Sequence, residues 1–132
     1  MSGQRGSATI LLLAVAGLVL MLTIGVADVG LAFAGRLQAA AAADAAALAA
    51  APVTFRPFGA AGTPTAEARR FADANGATLV ACRCPIDRSW QPRVVEVVVE
   101  RRVALLGIGT VSVRASSRAE FSPTALITGA EG

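Results

Sequence analysis

Histidine, tyrosine and lysine are absent from the 132 residues, and only two cysteines are present. Without histidine, the Ser-His and Cys-His pairs of nucleophilic catalysis are excluded. Two cysteines without histidine are also too few for a four-ligand zinc site within one chain. We therefore predict that the protein is not an enzyme, and we predict no catalytic residue, no cofactor and no metal.

All twelve basic side chains are arginines, and the formal net charge is +3. They are scattered, with neighbouring pairs only at Arg69-Arg70 and Arg101-Arg102. A nucleic-acid interface would cluster basic residues with aromatic or amide side chains among them. A membrane-surface patch would need a longer basic cluster. The pattern therefore predicts no nucleic-acid partner, and arginine-only usage with abundant alanine is typical of a G+C-rich genome.

One apolar run dominates the first part of the chain, since no side chain from Ala8 to Ala27 is charged. About twenty helical residues span roughly 30 Å, the hydrocarbon thickness of a bilayer. A fold of this size is too small to cover such a helix on all sides. The run predicts a single transmembrane helix, assigned to residues 7–29, after a cytoplasmic N-terminus of residues 1–6.

A cleaved secretory signal is the alternative interpretation of this run. Arg5 provides a basic start, and Ala32-Phe33-Ala34 is similar to a small-x-small cleavage site. The apolar core of a signal peptide is about 7–15 residues long, however, and this run is longer. We favour an uncleaved anchor in the cell membrane, and the alternative is a small secreted binding protein released by signal peptidase near Ala34. Because Arg5 precedes the span, the positive-inside rule places the C-terminal domain outside the cytoplasm.

The helical pattern continues beyond the span, because residues 30–51 are rich in alanine, the best helix former. Gly30 and Gly35 weaken this extension, and Pro52 is expected to end it. One narrow face is predicted to pack against the outer domain. Its residues recur at helical spacing: Leu37, Ala41, Asp44 and Leu48.

Two carboxylates in this region have two interpretations each. Asp44 is either a half-exposed carboxylate on a solvated helix or a partner for an arginine of another element or subunit. Asp28 lies at the membrane boundary, where a carboxylate can reach water. It is either an interfacial cap of the span or a pairing partner within an assembly of such helices.

The rest of the chain predicts a small α+β domain at residues 64–121, after a linker at 52–63. Thr63, Pro64 and Gly76 are typical of the N-cap, first position and C′ residue of a short helix. Alternating patterns then predict three strands. These strands cover residues 77–83, 93–105 and 110–121.

The predicted fold class is therefore α+β, with a long transmembrane helix that continues outside the membrane. One short helix then packs on a three-stranded, mostly antiparallel sheet, an arrangement similar to that of pilins. Residues 122–132 are predicted to be a disordered tail.

Cys82 and Cys84 lie two positions apart, so in an extended strand their side chains share one face. Three interpretations stay open: an internal disulfide, an intermolecular disulfide in an oxidising compartment, or two free thiols. We favour the internal disulfide. Because no βαβ redox context surrounds the pair, no catalytic role is predicted.

The first 50 residues carry a family resemblance through several short motifs. In chain order these are Arg5-Gly6-Ser7, the apolar span, Asp28-Val29-Gly30, Arg36-Leu37-Gln38 and residues 43–50, which include Asp44. Their order and spacing are similar to the N-terminal module of Tad/Flp pilus-assembly proteins of the TadE/TadG-like type. The whole chain further resembles a short subgroup, the helicase/secretion-neighbourhood TadE-like proteins, in which a small C-terminal domain follows the helix directly.

The resemblance implies a membrane-anchored, pseudopilin-like structural component of a Tad/Flp pilus or secretion system in the bacterial cell envelope. Its partners would be the membrane and other pilus or secretion-system components, in homo- or hetero-oligomers formed through the N-terminal helix.

The resemblance also implies Gly6 as the candidate processing site, because prepilin-type peptidase cuts related pilins there. Those substrates commonly carry glutamate at the fifth position after the cut, where this chain has Leu11. The subgroup often has one cysteine before the soluble helix and one in the following strand. Cys82 fits the second position, residues 59–62 stand at the first, and Cys84 appears instead.

Overall fold

The computed structural model describes residues 4–55 and 62–129, without the side chains of residues 4 and 5. The elements follow in the order α1 (Gln4–Val53), α2 (Pro64–Ala74), β1 (Thr78–Arg83), β2 (Arg93–Leu105), β3 (Gly109–Phe121) and α3 (Ala125–Thr128). The strands form one antiparallel sheet in the order β1-β2-β3. The predicted α+β class, with a long apolar helix, a short helix and a three-stranded antiparallel sheet, is confirmed.

Helix α1 is continuous over 50 residues. By length and composition it is apolar enough to cross a membrane, and its most apolar window has no buried residue. The predicted end before Pro52 is wrong by two residues, because Pro52 lies within the last turn and α1 ends at Val53. Thr54 closes the helix, because its hydroxyl and its amide both donate to the carbonyl of Ala51, at 2.6 Å and 3.2 Å.

The distal half of α1 packs across the sheet through a stripe of small residues, here called the alanine stripe. Its buried members recur at helical spacing. They are Gly35, Ala39, Ala42, Ala43, Ala46, Ala47 and Ala50. The five alanines of the stripe from Ala42 onward, together with Ala51, share one core cluster with the fully buried Val95, Val97 and Val99 of β2. The cluster also includes Ala68 and Ala72 of α2, Ala77, and Ala119 of β3.

The face of α1 that was predicted to pack on the domain is the exposed one. Leu37 and Leu48 are 58% and 67% exposed, and Ala41 and Asp44 are exposed as well. The size of the side chains explains why the other face packs on the sheet. Protein interiors are close-packed, and small side chains let a helix approach a sheet most closely. Helix α2 packs against α1 and against the edge strand β1.

The hairpin of β2 and β3 is in continuous register from Arg93↔Phe121 to Leu105↔Gly109. Its outer face carries cross-strand ion pairs, including Arg114 to Glu100 at 2.7 Å. The hydrogen bond from the Arg114 guanidinium lowers the pKa of Glu100 from its ordinary value of 4.5. These exposed pairs contribute little to stability. The opposite face of the hairpin packs on the apolar core.

Residues 122–129 are ordered, so the predicted disordered tail is wrong for this stretch. Pro123 is fully buried, and the amide of Ala125 donates to the carbonyl of Ser122 at 3.2 Å to begin α3. The burial of Pro123 anchors a segment that was predicted to be disordered. Residues 130–132 lie outside the described residues.

Candidate functional site at the junction of helix and hairpin

The β2–β3 hairpin lies along α1 from the C-terminal end of the helix back to Asp28, at the boundary of the predicted membrane segment. At one end, Nη1 of Arg93 donates to the carbonyl of Thr54 at 3.3 Å, just beyond the last turn of α1. At the other end, the hairpin turn contacts Asp28. The sheet therefore spans the whole part of α1 that extends beyond the predicted membrane segment.

Asp28 joins the helix to the hairpin turn. Its Oδ1 accepts a hydrogen bond from the amide of Leu106 at 2.5 Å, and its Oδ2 accepts one from the amide of Gly107 at 2.9 Å. The residue is only 8% exposed. Hydrogen bonds to an ionised acceptor are stronger than neutral ones. The carboxylate thus satisfies two backbone donors that lie in the turn, beyond the last paired residues of the hairpin.

Neither sequence interpretation of Asp28 included the hairpin turn of the same chain as its hydrogen-bond partner. A signal for it was present in the sequence. Gly35 and Ala39 follow Asp28 by seven and eleven positions, so Asp28 lies on the same side of the helix as the alanine stripe. A carboxylate on the buried side of a helix needs hydrogen-bond partners, and the turn between two strands offers free amides.

Two glycines permit the close approach of hairpin and helix. A Cβ atom at Gly35 would collide with Cγ2 of Val103 in β2. A Cβ atom at Gly107 would lie 3.0 Å from Oδ2 of Asp28 and 3.2 Å from Cγ2 of Ile24. Gly35, which by sequence only weakens the helix, is therefore a contact position between α1 and β2.

Several other residues of the family motif lie on the surface. Those that are exposed are Gly6, Gly30, Arg36, Gln38 and Asp44. A Cβ atom at Gly6 or Gly30 would have no neighbour within 4 Å. The side chain of Arg5 lies outside the described part. The structure thus buries Asp28 and the alanines of the motif that belong to the alanine stripe, and it leaves this exposed set available to partners.

Arg93 organises the loop that precedes β2, a role that the sequence analysis missed. Its guanidinium donates to the carbonyls of Thr54, Asp87, Ser89 and Gln91. It also lies 5.5 Å from the ring centre of Phe55. Within the loop, the hydroxyl and the amide of Ser89 donate to Asp87 and lower its pKa below the ordinary value of 3.8. Arg93 is buried, so its planar fork suits a structural role.

Replacing Arg93 with lysine is expected to lower the free energy of unfolding of the outer domain by about 1–2 kcal/mol. Lysine keeps the charge, but one ammonium group cannot serve carbonyls on both sides of the loop. Unfolding in urea can be followed by the emission of Trp90, whose ring lies 4.9 Å from that of Phe55. The exposed Arg102→Lys is the control, and equal stability of the two variants would contradict this role.

Cys82 and Cys84 form a disulfide with their Cα atoms 5.5 Å apart. A bulge in β1 between Leu79 and Ala81 shifts the register against β2. Both cysteines are partly buried and pack against the core cluster. The pair therefore lies at the end of β1 beside the apolar core, on the side of the sheet that α1 covers.

The site has the chemistry of packing and hydrogen bonding. Within residues 4–55 and 62–129, no three metal-ligating side chains come together. A depression of about 630 Å³ on the outer face of the sheet is lined in part by Glu96 and Arg118, which pair with each other at 3.4 Å. The junction at Asp28 is the feature that connects the long helix to the outer domain.

Residues 6–53 match the model of a family described as putative Flp pilus-assembly TadE/G-like. The match ends at the last residue of α1 and includes Asp28 and the whole alanine stripe. No curated protein matches the chain, and no solved structure matches it. The resemblance seen in the sequence is thereby confirmed for residues 6–53, over which the long N-terminal helix is similar to this TadE/G-like Flp pilus-assembly family.

Proposed function

We propose that this chain is a membrane-anchored, pseudopilin-like structural component of a Tad/Flp pilus or secretion system. Residues 7–29 would span the cell membrane, with the α+β domain outside the cytoplasm and no catalytic residue. The observation that carries the proposal is the continuity of α1, which passes from an uncovered apolar segment directly into the core of the outer domain. Any force or displacement of the anchor is transmitted to that domain without a hinge.

The exposed face of the distal helix is the surface that would contact other components. It contains Leu37, Leu48 and Asp44, opposite the alanine stripe. Exposed leucines beside a carboxylate suit a helix–helix contact in which an arginine of the partner pairs with Asp44. We include the resemblance to the helicase/secretion-neighbourhood subgroup in this proposal, with Gly6 as the candidate processing site and the Cys82–Cys84 disulfide as a support of the outer domain.

Release near Ala34 as a small secreted protein is disfavoured by the packing. Cleavage there would remove Asp28 and both of its hydrogen bonds to the hairpin turn. It would also begin the mature chain at Gly35, which is buried against Val103. Membrane fractionation with intact-mass analysis distinguishes the membrane-anchored component from the secreted protein. A soluble species that begins near Gly35 would contradict the anchor.

Photo-crosslinking in cells that carry the pilus genes tests the assembly role. A photoreactive amino acid at Leu37 or Leu48 is expected to yield crosslinks to other pilus components or to a second copy of the chain. The control position is Ser116, which is exposed on β3. If Leu37 and Leu48 gave no more crosslinked product than Ser116, the exposed helix face would not be an assembly surface.

A further inference from the structure

The tip of the β2–β3 hairpin carries uncovered apolar side chains at the level of the membrane boundary. Leu106 and Ile108 are 71% and 77% exposed. Residues 103–113 contain no charged side chain, whereas Arg102 and Arg114 stand at either end of this stretch. Such a loop end is unusual for a water-exposed turn, which is normally polar.

The contacts of the turn set its depth relative to the span. Asp28 is the first charged residue after the uncharged stretch that begins at Gly6. It accepts the amides of Leu106 and Gly107, and a Cβ atom at Gly107 would lie 3.2 Å from Ile24, one helical turn below Asp28. With residues 7–29 across the bilayer, the tip therefore lies at the boundary between headgroups and acyl chains.

The hydrogen bonding of the turn suits a lipid environment. Backbone donors that leave water for the apolar part of a bilayer must find acceptors within the protein. Asp28 supplies such acceptors to Leu106 and Gly107. Beside this contact, an open groove of about 430 Å³ is lined almost wholly by apolar residues, among them Met21, Ile24, Leu105 and Ile108.

We infer that the hairpin tip, Leu106-Gly107-Ile108, inserts into the outer leaflet of the membrane as a second contact beside the α1 anchor. The occupant of the groove is then a lipid acyl chain, and Arg102 and Arg114 stand on the headgroup side. Together, the α1 span and the hairpin tip would fix the distance of the outer domain from the membrane and its tilt relative to the membrane plane. This inference rests on the proposed membrane span of α1.

Tryptophan quenching by brominated lipid tests the insertion with the full chain in phosphatidylcholine vesicles. In a Trp90→Phe background, Leu106→Trp and Ile108→Trp each place a single tryptophan at the tip. Phosphatidylcholine brominated near the headgroup end of its acyl chains is expected to remove most of their emission, and lipid brominated near the methyl end to remove less. Leu48→Trp, far along the exposed helix face, is expected to keep its emission.

A further variant, Leu18→Trp in the middle of the span, distinguishes the two ways in which the experiment can fail. If Leu18→Trp is quenched but the tip variants are not, the insertion of the tip is overturned and the anchor stands. A blue-shifted but unquenched emission from the tip would mean that protein covers it, which overturns the inference too. If Leu18→Trp is not quenched, the span itself and the proposed function fail together with the inference.

Discussion

Replacing Ala46 with leucine is expected to loosen the contact between α1 and the sheet and to lower the free energy of unfolding by about 3 kcal/mol. Ala46 is fully buried in the cluster that includes Val95, Val97 and Val99. A larger side chain there pushes the helix away from the sheet or forces its neighbours out of their preferred rotamers. A domain this small has little stability to lose.

Ala41→Leu is the matched control for this substitution. It makes the same chemical change in the same helix, but Ala41 is exposed on the opposite face. Its effect on stability is expected to stay within about 0.5 kcal/mol. Urea unfolding of both variants in detergent micelles, followed by Trp90 emission, measures the difference. Equal losses from Ala41→Leu and Ala46→Leu would show that the alanine stripe does not determine the packing.

Replacing Asp28 with alanine is expected to release the hairpin turn from the helix. The change removes two hydrogen bonds to a charged acceptor, each worth about 1.5–3 kcal/mol. Amide hydrogen exchange at Leu106 and Gly107 is therefore expected to accelerate at least about tenfold, since a factor of ten corresponds to about 1.4 kcal/mol. Membrane insertion is expected to stay intact, because the apolar run is unchanged, while assembly yield falls as the outer domain loses its fixed orientation.

Asp44→Ala is the control, since it removes a carboxylate from an exposed position of the same helix. Asp28→Asn is expected to be intermediate, because an amide keeps one acceptor oxygen and loses the charge. NMR of the protein in micelles measures exchange at the two turn amides in all three variants. Unchanged exchange in Asp28→Ala would contradict the role of the carboxylate in holding the turn.

The elements themselves were predicted closely from local pattern. The alternating pattern placed β2 at residues 93–105, as observed, and the alternate residues Val95, Val97 and Val99 lie on its buried face. The caps at Thr63 and Gly76 bracketed α2 correctly, and the Thr63 hydroxyl accepts the amide of Ala66. Such signals depend on residues that are close together in the sequence, so they can be recognised without knowledge of the tertiary structure.

The errors concern choices among distant parts of the chain. An alanine-rich helix has two faces of similar apolarity, and the presence of Leu37 and Leu48 pointed to the wrong one. Arg93 looked like one of many scattered arginines, because its partner Thr54 is 39 positions away. Pro123 was assigned to a disordered tail, although the fold buries it.

The sequence by itself determined the apolar span, the helical and strand segments, the α+β class and the resemblance to the TadE/G-like family. The span, the segments and the class follow from composition and from periodicities of two or 3.6 residues, whereas the resemblance rests on the order and spacing of motifs in the first 50 residues. Only the tertiary structure decided which face of α1 meets the sheet and that Asp28 holds a turn 78 positions later in the chain. The physical reason is that helix–sheet packing selects the side chains that allow the closest approach. Buried polar groups then take the hydrogen-bond partners that this approach brings near, whatever their distance along the chain.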